Sequence, residues 1–108
     1  MLRTFLLPLR CGLPLALLLA VTTGHAADPS NGGAIYQRLC AQCHGTRGQP
    51  VLPVAPDFAS PTALLKPDLA LLAVIRDGRG AMPAYQGQLK DREMLDLVAH
   101  LRTLKVRR

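Results

Sequence analysis

The chain has 108 residues and a formal net charge of +6, with 49% hydrophobic and only 4% aromatic residues. That length admits one domain and little else. The charge is not organised for nucleic acid, since there is no long basic face and there are few aromatics to stack on bases.

The first segment reads as an export leader. Arg3 and Arg10 supply positive charge, an apolar block runs from about Leu13 to Val21, and small residues follow through Ala26 and Ala27. These are the three parts of a secretory signal peptide, with cleavage expected after Ala26. A membrane-spanning helix needs roughly 20 apolar residues, and this block is about half that and is interrupted by Pro14. The expected organisation is a leader over 1–26 and one domain over 27–108, delivered to the periplasm with no retained membrane span.

The domain is short of core material. It has no Trp, one Phe (Phe58) and two Tyr (Tyr36 and Tyr85). A domain this small needs a staple, whether disulfides, a metal or a cofactor. Cys11 leaves with the leader, and Cys40 and Cys43 are too close in sequence to staple anything as a disulfide.

Three helices are expected. Ser30 or Asn31 can cap the first, which runs from Gly32 towards Leu39 or Cys40 with Ile35, Tyr36 and Leu39 on its apolar side. Gly32 and Gly33 weaken that helix and read as permission for close helix contact. Residues 45–61 are a loop punctuated by glycine and proline, long enough to imply that it wraps something, and Ser60–Leu65 can form a short turn. The second helix starts at Pro67, places Leu69, Leu72, Ala73 and Arg76 on one stripe, and ends at Gly78. Gly80–Tyr85 is an extended connector. The third runs from about Asp91 to Leu104, with Met94, Leu97, Val98, Leu101 and Leu104 at helical spacing. Nothing alternates like a strand, so the fold class is all-α.

The chemistry concentrates in Cys40-Ala41-Gln42-Cys43-His44. Cys-x-x-Cys-His is the signature of covalent haem attachment, with two thiols bonding the porphyrin and the adjacent imidazole reaching the iron. A thioredoxin-like redox pair would need a strand–helix context, and a zinc site would need four N/S ligands, for which only His25, in the leader, and the distant His100 could join. For the opposite face of the iron, Met82 stands in the non-helical connector while Met94 falls on a core stripe. Met82 is therefore the candidate axial ligand, with His100 or an open position as the alternatives.

The pairing of Cys40-Ala41-Gln42-Cys43-His44-Gly45 with Gly80-Ala81-Met82-Pro83 resembles the class I cytochromes c, especially the compact bacterial ones, over nearly all of residues 30–104. The resemblance implies three main helices and long loops around one covalent haem c, His44/Met82 ligation, and a one-electron carrier, not an enzyme. It also implies that Gly32 and Tyr36 meet the C-terminal helix, where His100 replaces the family's usual aromatic. Ala55-Pro56-Asp57-Phe58 is similar to the family loop whose proline carbonyl accepts the N–H of the ligating imidazole, which gives Pro56 that role, with Pro53 as the rival. Tyr36, Phe58, Leu72 and Ile75 are the expected pocket wall. The expected partners are redox proteins, with Arg76 and Arg79 either a docking rim for an acidic surface or ordinary solvated charges. The alternative is a small haem subunit or accessory donor of a larger oxidoreductase, as in nitrite or nitric oxide metabolism.

Overall fold

The computed structural model describes residues 20–104. The charged start and most of the apolar block of the expected leader, and Lys105, Arg107 and Arg108 of the basic C-terminus, lie outside them. Residues 20–28 form no regular element and are exposed. Among the described residues there are four helices, α1 Pro29–Leu39, α2 Ala41–His44, α3 Asp68–Asp77 and α4 Asp91–Leu101, and no strand beyond two isolated bridges. The all-α expectation holds, with α2 as a single added turn carrying the second half of the cysteine motif. No described helix is long and apolar enough to cross a membrane.

α1 begins earlier than the sequence reading placed it. Its cap is Asp28, whose carboxylate accepts from Ser30 N (2.8 Å) and Asn31 N (3.3 Å). Ser30 and Asn31 are thus inside the helix and donate to the cap. Pro29 takes the first helical position, where a missing N–H costs nothing.

The core is the crossing of α1 on α4. Gly32 makes it possible: a Cβ there would stand 1.9 Å from the carbonyl oxygen of Asp96, so backbone lies directly on backbone. One turn on, Tyr36 meets His100 with ring centroids 5.1 Å apart, and the His100 ring lies over Gly33. Ile35, Tyr36, Met94, Leu97 and Val98 are buried together around this crossing. His100 therefore packs at the helix contact, and burial holds its imidazole below the usual value, partly offset by the Pro29 carbonyl. Met94 is 1% exposed, as its core stripe requires.

A buried carboxylate locks the same crossing. Asp96 is 2% exposed and accepts from Asp28 N (2.7 Å) and from Asn31 Nδ2 (2.8 Å). Burial works to raise its pKa, but the hydrogen bonds from Asn31 and Asp28, with Arg92 nearby, outweigh that and hold it below the usual carboxylate range. Because the folded pKa is the lower one, the stabilisation is complete above the unfolded value of about 3.9 and fades as pH falls through the folded value. Asp96→Ala leaves two donors unpaired and is expected to cost about 2–3 kcal/mol at neutral pH. The gap between its denaturation midpoint and that of the parent should be full at pH 7 and should narrow as pH falls below about 3.9. A gap that stays constant over that range would contradict the assignment.

α3 shows where periodicity misled. The sequence placed Leu69, Leu72, Ala73 and Arg76 on one stripe, yet Leu71 and Ile75 are the buried pair and Leu69 is 76% exposed. The helix is apolar almost all round, so its sequence does not say which side faces inward. α4 ends at Leu101, not Leu104. Arg102 comes next and donates to the carboxylate of Asp68 and to the carbonyls of Leu64 and Lys66, which ties the start of α3 to the end of α4. Ser60–Leu65 is a run of turns with no helix.

Candidate functional site

The cysteine motif is built on a break between two helices. Cys40 ends α1, its N–H donating to Tyr36 O, and then opens the single turn of α2. Gly45, at φ 76°, stops that turn in a conformation that suits glycine. The loop then folds back: Val51 N and Leu52 N both donate to Cys43 O (3.0 and 3.1 Å), and Phe58 N donates to Gly48 O (2.8 Å). Tyr36 fixes the arrangement from below by donating its hydroxyl to Gly45 O at 2.7 Å. Burial, then the neighbouring Cys40, push that phenol up to about 12 against a backbone hydrogen bond at Gly48, so it stays a donor.

These constraints present two free sulfurs and one imidazole to a common space. Cys40 and Cys43 are unpaired, and burial followed by Cys43 pushes the Cys40 thiol up to about 11. His44 is buried, and burial lowers its pKa, so at neutral pH it is the uncharged imidazole that ligates metals. Its ring stacks on Phe58 with centroids 4.5 Å apart and planes 13° apart.

Met82 reaches the same space from the connector after α3. Gly78, at φ 74°, ends α3, and Arg79 and Met82 exchange both backbone hydrogen bonds at 3.0 Å in a tight reversal. Tyr85 anchors the chain beyond the reversal: its N–H donates to Ile75 O (3.0 Å) and its hydroxyl to Leu39 O (3.1 Å).

The enclosed space is a cavity of about 660 Å³, well inside the roughly 300–1,000 Å³ of cofactor sites. Cys40, Cys43, His44 and Met82 all line it, with Tyr36, Phe58 and Ile75 as the sequence expected. Leu72 does not line it. Leu71 and Val74 take that place because the inward stripe of α3 lies about 100° round the helix from Leu72. The sequence reading also missed Tyr85, Leu97 and Leu101, whose signals were absorbed into a connector and a helix–helix stripe.

Pro56 lines the cavity but is not bonded to His44. The imidazole Nδ1 is buried without a hydrogen-bond partner. Stacking on Phe58 sets the ring plane, and the loop that carries Pro56 is drawn back onto Cys43. His100 lies outside the cavity. Arg79 lines it, whereas Arg76 is engaged with Asp91 at 3.3 Å.

The donor set suits a metal that brings most of its ligands with it. Among the described residues no three His, Cys, Asp or Glu side chains cluster as a metal site. A wide apolar slot with one imidazole, one thioether and two thiols fits a porphyrin, which supplies four nitrogens of its own and needs two axial donors and two tethers.

Comparison with known proteins agrees with this geometry. Residues 27–101 match the family model described as cytochrome C oxidase, cbb3-type, subunit III. The chain is 30% identical over 95 residues to cytochrome c6 of Thermosynechococcus vestitus, covering 84% of each. Among solved structures it is similar to the c-type cytochrome KustC0563, with a TM-score of 0.65 and 26% identity over 68% of this chain and 96% of that one. It is also similar to cytochrome c6 of the diatom Phaeodactylum tricornutum, with a TM-score of 0.60 and 26% identity over 69% and 91% of the two chains.

Proposed function

This chain belongs to the class I, monohaem cytochromes c, and on that premise we propose that it is an exported carrier of single electrons whose iron is held by His44 and Met82. It carries one covalently bound haem c, and it is an electron carrier and not an enzyme. The haem supplies a one-electron couple at its iron.

The chain's own residues supply the rest. Cys40 and Cys43 are the tethers, and His44, kept neutral by burial, is the first axial donor. Met82, delivered by the Arg79–Met82 reversal, is the second. Filling both axial positions leaves no site for a substrate, and a thioether ligand favours the ferrous state. The unpartnered His44 Nδ1 is the group that the Pro56 carbonyl accepts from in the holoprotein, which sets the ring's tautomer. Tyr36, Phe58, Leu71 and Ile75 keep water from the ring, which limits reorganisation when charge moves.

The convergence of Cys40, Cys43, His44 and Met82 on one cavity carries this reading. Removal of residues 1–26 and a periplasmic location belong to it as well. The chain covers 84% of cytochrome c6 of Thermosynechococcus vestitus and 96% of KustC0563, so the whole of each matched carrier's domain has its counterpart here, which supports the carrier reading. A net charge of +4, left once Arg3 and Arg10 go with residues 1–26, and Arg79 at the cavity favour a redox partner with an acidic docking surface.

The test is a mass and a spectrum of protein matured in a host that attaches haem. The expected product lacks the leader, gains one haem, resists carbon monoxide when reduced and shows the near-red sulfur-to-iron band when oxidised. Met82→Ala should abolish that band and admit carbon monoxide. A colourless product with both thiols open to alkylation would end the proposal.

A further inference from the structure

The cavity has a charge pattern that the axial and covalent ligands leave unexplained. Of the described side chains that line it, only Lys66 and Arg79 are formally charged, and no carboxylate faces it. A mostly apolar wall with two cations and no acid fits a ligand that is apolar over most of its area and anionic at one edge. Haem has that form, with vinyl groups at one edge and two propionates at the other.

The fold separates the two cations. Lys66 lies just before α3 and Arg79 just after it, and a helix of ten residues is about 15 Å long. The C-terminal end of α3 is on the cysteine side: Ile75 O accepts from Tyr85 N, and the Tyr85 hydroxyl donates to Leu39 O, next to Cys40. The N-terminal end, a helix length from there, is held to the end of α4, where Arg102 donates to the carbonyls of Leu64 and Lys66. A ring tethered by its vinyl edge to Cys40 and Cys43 directs its carboxylates towards that second end.

We propose that Lys66 is the counter-ion of the haem propionates, and that Arg102 places it there by clamping the turn on which it stands. This rests on the haem reading above. Besides tying α3 to α4, the two donors that Arg102 places on the Leu64 and Lys66 carbonyls fix the exposed turn that carries Lys66. A cation paired with the propionates offsets their negative charge at the iron, which favours the ferrous form, and it keeps the propionic acids ionised to lower pH.

The experiment tracks the midpoint potential of the holoprotein against pH for the parent, Lys66→Gln, Lys66→Arg and Lys90→Gln. Lys90 is exposed and outside the cavity. Lys66→Gln should lower the potential, shifting the exchange equilibrium with a reference couple on the order of threefold. It should also move the propionic acid step to higher pH, by about one unit. Lys66→Arg should restore both, and Lys90→Gln should change neither. If the Lys66→Gln and Lys90→Gln curves superimpose, the counter-ion assignment is wrong while the haem reading stands. A product with no haem would overturn both.

Discussion

Replacing Cys40 or Cys43 with alanine should lower the melting temperature of the protein as well as loosen its haem. The two effects are coupled because the cofactor fills a large gap in the core. The cavity measures about 660 Å³. At about 24 cal/mol per Å³ an unfilled cavity of that size would cost up to about 16 kcal/mol, an upper bound because the space opens to solvent. Domains of this size are stable by only about 5–15 kcal/mol. The haem is therefore part of the folding free energy, as a structural metal is in a small metal-binding domain.

Losing one tether removes one covalent constraint and leaves the other sulfur and His44 in place. A cost of about 2–3 kcal/mol, comparable to that of losing a crosslink, lowers the melting temperature by roughly 10–20 °C in a domain this small. The double variant should fail to hold haem through purification and should lack a cooperative transition. Thermal scans followed by circular dichroism and by Soret absorbance would check this. A haem-free double variant that melts with the holoprotein would show that the cofactor is not part of the core.

The second large effect lies at the helix crossing. Gly32→Ala should destabilise the protein by at least about 3 kcal/mol, because the new methyl would meet the Asp96 carbonyl at 1.9 Å for oxygen and 2.4 Å for carbon. Both obstacles are backbone, so no rotamer change relieves them and α1 must move off α4. The gain of about 1 kcal/mol in helix propensity from glycine to alanine acts in the opposite direction and is too small to compensate. Movement of α1 also shifts Tyr36, whose hydroxyl holds Gly45 beside His44, so the variant should bind haem less firmly too. Gly33→Ala is the internal control. Its methyl would meet the His100 ring at 3.1 Å, a side chain that can rotate, and the loss should be about 1 kcal/mol. Urea titrations of the two holoproteins would separate them, and equal losses would argue against a backbone contact at Gly32.

Much of the site was legible in the sequence, and the reasons are local. Cys40, Cys43 and His44 fall within one helical turn, so their spacing alone orients them together. Met82 was distinguishable from Met94 because the two stand in different local structure, one in a reversal and one on a helix at 1% exposure. The glycine pair in α1 pointed to close contact, and Gly32 makes it. The choices that failed were those that a segment cannot make by itself. α3 is apolar on nearly every side, so its periodicity could not prefer Leu71 and Val74 over Leu72 for the cavity wall. The cap of α1 moved to Asp28 because that residue's backbone N–H is also held from α4 by Asp96.

The amino-acid sequence by itself determined the helical class, the tethering motif and the identity of the two candidate axial donors, because each depends on residues within a few positions of one another. The tertiary structure alone decided how Asp96 locks α1, how Phe58 stacks on His44, how Arg102 clamps the turn before α3, and which side of α3 faces the cavity. Each of these joins groups well separated along the chain. Only close packing of the whole chain, in which each contact is fixed by its neighbours, selects one such pairing from the many that the local pattern allows.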